Sequence, residues 1–521
     1  MSVRTFLRSL GVLKAPNHHG SAGWQRADPS WVGKWNVLTS ESPNRKSPTA
    51  SKTAGQMFVG TQDGQPVVIP SSEAARHGVI VGGSGTGKSR GYLIPNAAWS
   101  KGTSLVCTDP KSELWKLTSG LRQKAVRYAP TDPGETACFN WVPLCADPAT
   151  AELCARALVE SGNTQGTEQA WLDTEAAFLA GVFAHAATMD RPTPLTAYRL
   201  FTRQPIDSLI EQLLESPSEA AREQAMVFSQ TQERMRGSIV PVVAAKLQFL
   251  RDDRIARFTS STLHAPEFES LRRTPSSLYW CLREHDIVRL RPLTSLFFSL
   301  LLERLAHEDE DRKGVPVMML LDEFANIGVI PGFETTIALA RGRGVSLWLG
   351  LQSLSQLESR YGKANAQTIL ANCGTKIALS GLDIDSADYF SRSLGDETAQ
   401  VSKSSRHGLL NASYSHSTVE NARRLLTADE VRRIDADKAI VIVGNRRPML
   451  LGKIYYDRPG RKAQQGVLGP ALAETCSPKA APEPPPMPVS LQFNDRRRVR
   501  RNKANQSGSM SFAQGRLSGP K

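Results

Sequence analysis

The sequence predicts an α/β fold, short strands alternating with helices, interrupted by an all-α region. Three observations carry that expectation. Short β-rich runs alternate with helical stretches from His77 onward. A glycine-rich loop, Gly82 to Ser89, directly follows the first of these runs, "HGVIV". Between about residues 148 and 262 the apolar spacing turns purely helical, and the strands then resume.

Taken in order, residues 1–70 are an N-terminal extension with a polar loop at "TSESPNRKSPTASKTAGQ". Residues 71–147 hold the first part of the α/β unit, with strands at "HGVIV", "TSLVC" and "AVRY". Residues 148–262 are the all-α insertion. There Trp171, Phe178, Leu179, Val182 and Phe183 fall at offsets 0, 7, 8, 11 and 12, the spacing of one helix face. Residues 263–457 hold the second part, with strands at "SSLYWCL", "VPVMMLL", "VSLWLGL" and "GTKIALS". Residues 458–521 lose the pattern. "SPKAAPEPPPMPV" is proline-rich and extended, and residues 490–521 carry eight Lys/Arg against one Asp, a basic tail expected to be disordered. Such a tail suits DNA binding or solubility equally.

A chain of 521 residues with 40% hydrophobic and 22% charged residues is a folded protein of two or three domains. Its net charge of +14 favours polyanionic partners. Seven cysteines without a CxxC pair point to a reducing compartment and away from a thiolate zinc site. The nine histidines include no HExxH or other ligand pattern. No apolar run reaches the roughly 20 residues that span a bilayer. The greasiest stretch, "LTSLFFSLLLERLA" at 293–306, breaks into "HEDEDRK" and reads as a buried helix. The N-terminal "VRTFLRSLGVLK" is too short and too arginine-punctuated for a secretory signal. Residues 3–14 could still lie on a membrane as a short amphipathic helix. The expected location is cytoplasmic, at most peripheral on the inner membrane. No helix-turn-helix, zinc module or RNA-binding aromatic pattern is present, so DNA would be bound without strong sequence preference.

The loop Gly82, Gly83, Ser84, Gly85, Thr86, Gly87, Lys88, Ser89 contains the full GxxxxGK[ST] pattern between a strand and a segment that can start a helix. Its glycines let backbone N–H groups wrap phosphates, and the helix N-terminus adds its positive end. The pattern calls for ATP and Mg²⁺, with Lys88 on the β- and γ-phosphates and Ser89 on the metal. "VPVMMLLDEF" supplies the distant acidic partner. Asp322 is expected in the Mg²⁺ shell and Glu323 to polarise the attacking water. A kinase would want an acceptor site, which the sequence does not suggest. Gln352 ends the strand "VSLWLGL", where ligands gather in open α/β sheets, and can bond the lytic water or the γ-phosphate. "LVCTDPKSEL" places Asp109 and Lys111 either at the nucleotide or at a helix cap.

Arg341 and Arg343 precede that same strand, at the edge away from the chain's own Walker loop. They are poorly placed for their own nucleotide and well placed for a neighbour's in a ring. The plain alternative is a pair of helix C-terminal cations favoured by the dipole.

With the Walker loop, "DPKSEL", "LLDEFANIG", "ARGRG", "GLQSLSQLESRYG" and "LLTADEV" in this order, the chain resembles coupling proteins of the VirD4/TraG family. "GSAGW" at Gly20–Trp24, "FNWVPL" at Phe139–Leu144 and "RLRPLTSLFFSLLLERL" at Arg289–Leu305 add to the resemblance, which runs from about residue 20 to about 450. It implies a RecA-like P-loop motor domain interrupted by an all-α domain and assembled as a hexameric ring. The ring would be an ATPase handing DNA or nucleoprotein to a type IV secretion channel. It also implies that Lys88 and Ser89 are the Walker A pair, Asp322 and Glu323 the Walker B pair, Gln352 the sensor glutamine and Arg341 the trans-acting arginine. Implied partners are relaxosome or effector proteins, read by the all-α part, and the channel's ATPases and membrane components. Family members usually begin with transmembrane helices, which this sequence does not show, so the expectations are a separate anchoring partner, peripheral docking through residues 3–14, or a soluble motor. Two other readings share the nucleotide site: a soluble hexameric DNA-pumping ATPase outside secretion, and a nucleotide-gated substrate receptor with slow hydrolysis.

Overall fold

The computed structural model describes residues 21–32, 54–100, 102–132, 136–162, 168–260, 268–307, 314–407 and 413–455, without the side chains of 399–407 and 413–420. The segment 3–14, most of the polar loop and the basic tail lie outside the described residues.

Thirteen strands are described: β1 (Met57–Gln62), β2 (Gln65–Ile69), β3 (Gly78–Val81), β4 (Ser104–Asp109), β5 (Ala125–Tyr128), β6 (Ser277–Cys281), β7 (Val317–Leu321), β8 (Val345–Leu351), β9 (Thr375–Ala378), β10 (Asp396–His407), β11 (Ser413–Arg424), β12 (Lys438–Val443) and β13 (Met449–Gly452). Eleven of them form one sheet in the order β2-β1-β13-β12-β9-β3-β8-β7-β4-β6-β5, and β10 pairs with β11 separately. From β9 to β5 every pairing is parallel. From β9 outward through β12, β13, β1 and β2 every pairing is antiparallel. Each strand expected from the sequence is present. Strands β1, β2, β12 and β13, which sequence reading passes over, extend the sheet on one side.

Alternation along the parallel strands builds a core on each face. Val79 and Val81 of β3, Met319 and Leu321 of β7, and Leu347, Leu349 and Leu351 of β8 belong to one apolar cluster. Ile80, Met318, Leu320 and Trp348 belong to the other. With both faces covered, β7 and β8 are buried at every position, which is why their sequences are unbroken apolar runs.

Between β5 and β6 the described elements are helices only. Asp147 starts the first long one, Pro148–Val159, by accepting from the Thr150 N–H at 2.9 Å, with proline at the first helical position. In the helix Gln169–Ala187, Phe178, Leu179, Val182 and Phe183 are buried, and Trp171 is only partly so. Phe178 stacks on Phe228 with centroids 3.8 Å apart. Phe183 meets Trp141 at 6.3 Å, Trp141 meets Phe139 at 5.6 Å, and Phe139 meets Phe297 at 5.0 Å. Phe297 sits on the helix Arg291–His307, formed by the greasy stretch noted in the sequence, and packs on Trp280 of β6 at 4.4 Å. The helical region and the sheet thus share one core. Among the described residues no helix is long and apolar enough to cross a membrane.

Candidate active site

The chain leaves β3, passes through the glycine-rich loop, and returns as β4 on the far side of β8 and β7. That reversal opens a crevice at the C-terminal ends of the strands, the place where such sheets collect ligands. The loop is tied there from its first residue, since the Gly82 N–H donates to the Leu351 carbonyl at 3.0 Å. Gly82 cannot carry a side chain: a Cβ would lie 2.6 Å from Thr86 Oγ1 and 2.8 Å from Leu379 Cβ.

Lys88 is buried and donates from Nζ to the carbonyls of Gly82 at 2.6 Å and Gly83 at 3.2 Å. Burial pushes its ammonium below the ordinary lysine range, while the charges of Asp322 and Glu323 pull it back up. Ser89 Oγ donates to Asp322 Oδ2 at 2.6 Å. Burial pushes the Asp322 carboxyl up, and the Ser89 bond and the Lys88 charge pull it down. A hydroxyl and a carboxylate this close form a hard oxygen set that fits Mg²⁺, which takes few protein ligands and completes its shell with phosphates and water. Among the described residues no group of three or more His, Cys, Asp or Glu could hold a metal ion alone.

Glu323, the residue after Asp322, has left-handed backbone at φ 50°, unusual for a non-glycine residue. That turn carries its carboxylate away from the strand and between two amides. Gln352 Nε2 donates to Oε1 at 3.0 Å, and Asn326 Nδ2 donates to Oε2 at 2.7 Å. Gln352 is itself steadied by Gln356, whose Nε2 donates to Gln352 Oε1 at 3.4 Å and whose Oε1 accepts from the Gln352 N–H at 3.3 Å. With both oxygens held, the carboxylate has a defined direction, as a base that must orient a water requires. Lys88, Ser89, Asp322, Glu323 and Gln352 are therefore brought together.

Asp109 and Lys111 are resolved differently. Asp109 caps the helix after β4, accepting from the Glu113 N–H at 2.9 Å and the Trp115 N–H at 2.8 Å. Burial raises its carboxyl to about 6. Lys111 Nζ lies 3.6 Å from Glu284 on the surface.

The arginines are not in this crevice. Arg341 is exposed on the last turn of the helix Phe333–Gly342, and Arg343 caps its C-terminus. The seven residues of β8 separate them from Gln352, roughly 20 Å at strand spacing. Beneath them lies a residue that sequence reading left unassigned. His77, 1% exposed with φ 58°, approaches the Ile337 carbonyl with Nε2 at 2.7 Å and accepts the Leu347 N–H on Nδ1 at 3.1 Å. It joins the foot of β3 to the arginine-bearing helix and to β8. Asn326 was also missed, although it stands in the quoted "LLDEFANIG".

A parallel sheet with a phosphate loop at its switch point, beside a strand-end acidic pair, defines the P-loop NTPase class. Within it, the chain belongs to the type IV secretory system conjugative DNA transfer family, whose family model matches residues 30–478. It is 26% identical over 518 residues to Protein VirD4 of Rhizobium radiobacter, covering 93% of this chain and 69% of that protein. It is 26% identical over 512 residues to conjugal transfer protein TraG of Escherichia coli, covering 88% of this chain and 79% of that one. The fold is that of solved coupling-protein structures. TrwBdeltaN70 in a trigonal form with sulphate aligns with TM-score 0.66 at 20% identity, over 87% of this chain and 98% of that one. TrwB in complex with ADP and Mg²⁺ aligns with TM-score 0.63 at 21% identity, over 76% and 89%. The sheet and the all-α region are thus those of the RecA-like coupling-protein fold.

Proposed function

We propose that this coupling protein is an ATP-driven motor that delivers DNA or nucleoprotein to a type IV secretion channel. The observation that carries the reading is the Glu323 carboxylate, held at both oxygens beside the Ser89–Asp322 pair. A receptor that only bound nucleotide would have no use for an oriented base.

In this reading Gly82 to Ser89 wrap the phosphates with backbone N–H groups, and Lys88 exchanges its loop carbonyls for phosphate oxygens. Ser89 and Asp322 would hold Mg²⁺, which when bound would supply charge neutralisation for the phosphates. Glu323 takes the proton of the attacking water, and Gln352 both aims that carboxylate and lies near the γ-phosphate. Arg341 acts on a neighbour's nucleotide in a hexameric ring, a reading supported by its place at the far end of β8. DNA is held without strong sequence preference, in keeping with the +14 charge. Relaxosome or effector proteins meet the all-α region at 148–262.

ATP turnover with and without DNA, read beside the oligomer size, tests the proposal. DNA should stimulate turnover in the assembled ring, and Lys88→Ala should abolish both nucleotide binding and turnover. Turnover that ignores DNA, or that survives in Lys88→Ala, would remove the motor reading.

A further inference from the structure

The end of the sheet returns to the phosphate loop from the far end of the sequence. Lys453, directly after β13, is 5% exposed and donates from Nζ to the Thr86 carbonyl at 2.9 Å. Its backbone N–H donates to the Asp437 carbonyl at 2.7 Å, which anchors its stem beside β12. Two residues on, the Tyr455 ring fills the space a side chain at position 87 would need. A Cβ on Gly87 would lie 2.8 Å from Tyr455 Cε1, and Gly87 has φ 98°. The Tyr455 hydroxyl donates to the Ala436 carbonyl at 3.2 Å, and the Arg90 guanidinium lies 5.4 Å from the ring centroid. Lys453 and Tyr455 therefore press on the loop at adjacent residues.

The Lys453 ammonium faces a carbonyl of a loop whose N–H groups have to point at phosphates. A cation on the outer side of the Thr86–Gly87 peptide holds the carbonyl outward, so that the amide faces the other way. Its charge also adds to the positive potential of the site.

We propose that Lys453 is a positioning residue for the phosphate loop. Together with Tyr455 against Gly87, it sets the loop's affinity for nucleotide phosphates. This rests on the reading of Gly82–Ser89 as an ATP site. Because the contribution is partly electrostatic, it weighs more on a triphosphate than on a diphosphate.

The test titrates a fluorescent non-hydrolysable ATP analogue and fluorescent ADP against the full chain. Wild type, Lys453→Met, Lys453→Gln, Lys453→Arg and Lys88→Ala are compared, with a thermal melt of each. Lys453→Met should weaken the ATP analogue about tenfold and ADP by clearly less, as a lost charge requires. Lys453→Gln should do the same although it keeps a donor, and Lys453→Arg should stay within about threefold of wild type. At saturating ATP, kcat should hold within about threefold in all three, since the change is in ground-state binding. Wild-type affinity in the neutral variants, equal losses for the two nucleotides, or a loss confined to kcat would overturn the proposal. If Lys453→Met does not fold, the Gln and Arg variants carry the comparison. Failure of the wild-type chain to bind ATP would overturn both the ATP site and the role of Lys453. Loss in Lys88→Ala with none in the neutral Lys453 variants would remove Lys453 alone.

Discussion

Glu323→Gln is the sharpest perturbation of the proposed mechanism. Both carboxylate oxygens accept from side-chain amides, Gln352 at 3.0 Å and Asn326 at 2.7 Å. A glutamine has only one oxygen, so its own NH₂ must face one of those NH₂ groups. The variant therefore loses one bond to an ionised acceptor, about 1.5–3 kcal/mol, as well as the base. Loss of a general base costs about 10²–10⁴ in rate. That is about 3–5 kcal/mol of transition-state stabilisation. Lys88, Ser89 and Asp322 are untouched, so nucleotide affinity should change little. Single-turnover ATP hydrolysis, a labelled-nucleotide titration and a thermal melt measure the three quantities separately. Turnover within about tenfold of wild type would refute the assignment of Glu323, because it falls below the range a general base supplies. Gln352→Ala and Asn326→Ala each remove one anchor and keep the base. Each should lower the rate by about tenfold to a hundredfold, the equivalent of one such bond.

Arg341→Ala should bind ATP and fold normally yet hydrolyse it very slowly, and mixing it with Lys88→Ala should restore partial turnover in hybrid rings; no rescue where mixed oligomers form would remove the trans mechanism, and rescue of Arg343→Ala instead would move the finger two residues along. His77 has a folded pKa of about 4 against an ordinary 6.5, because burial disfavours its charged ring. Its stabilisation is complete above pH 6.5 and is lost as pH falls toward 4, about 3 kcal/mol in all. Melts of wild type and His77→Gln from pH 7 to 4 should therefore converge at the acid end, and parallel curves would contradict the neutral buried ring. DNA affinity should fall steeply with salt, by about 0.9 in logarithmic slope for each phosphate contact, and deletion of residues 490–521 should flatten that slope if the tail touches the backbone.

The parallel strands are legible because burial on both faces leaves no polar position to interrupt them. "VMMLL" and "VSLWLGL" cannot be mistaken for surface. The phosphate loop is legible because its backbone geometry forces glycine at set positions. The β1–β2 hairpin had a readable signal that was passed over: Asp63 and Gly64, both at positive φ, stand between two apolar runs. Asn326 and Lys453 had none. Asn326 reaches Glu323 only because position 323 adopts left-handed backbone, which nothing in "LLDEF" announces. Lys453 lies 367 residues from Thr86, and only the antiparallel extension of the sheet closes that distance.

The aromatic chain from Phe183 through Trp141, Phe139 and Phe297 to Trp280 has a mechanical consequence. The all-α region is not hung on the sheet by a flexible linker; the two share a solid interior in which side chains interlock. A pull on those helices is therefore transmitted to β6 and its neighbours rather than absorbed at a joint. The same continuity makes the region and the sheet melt together, so a calorimetric scan of the intact chain should show them absorbing heat in one cooperative peak.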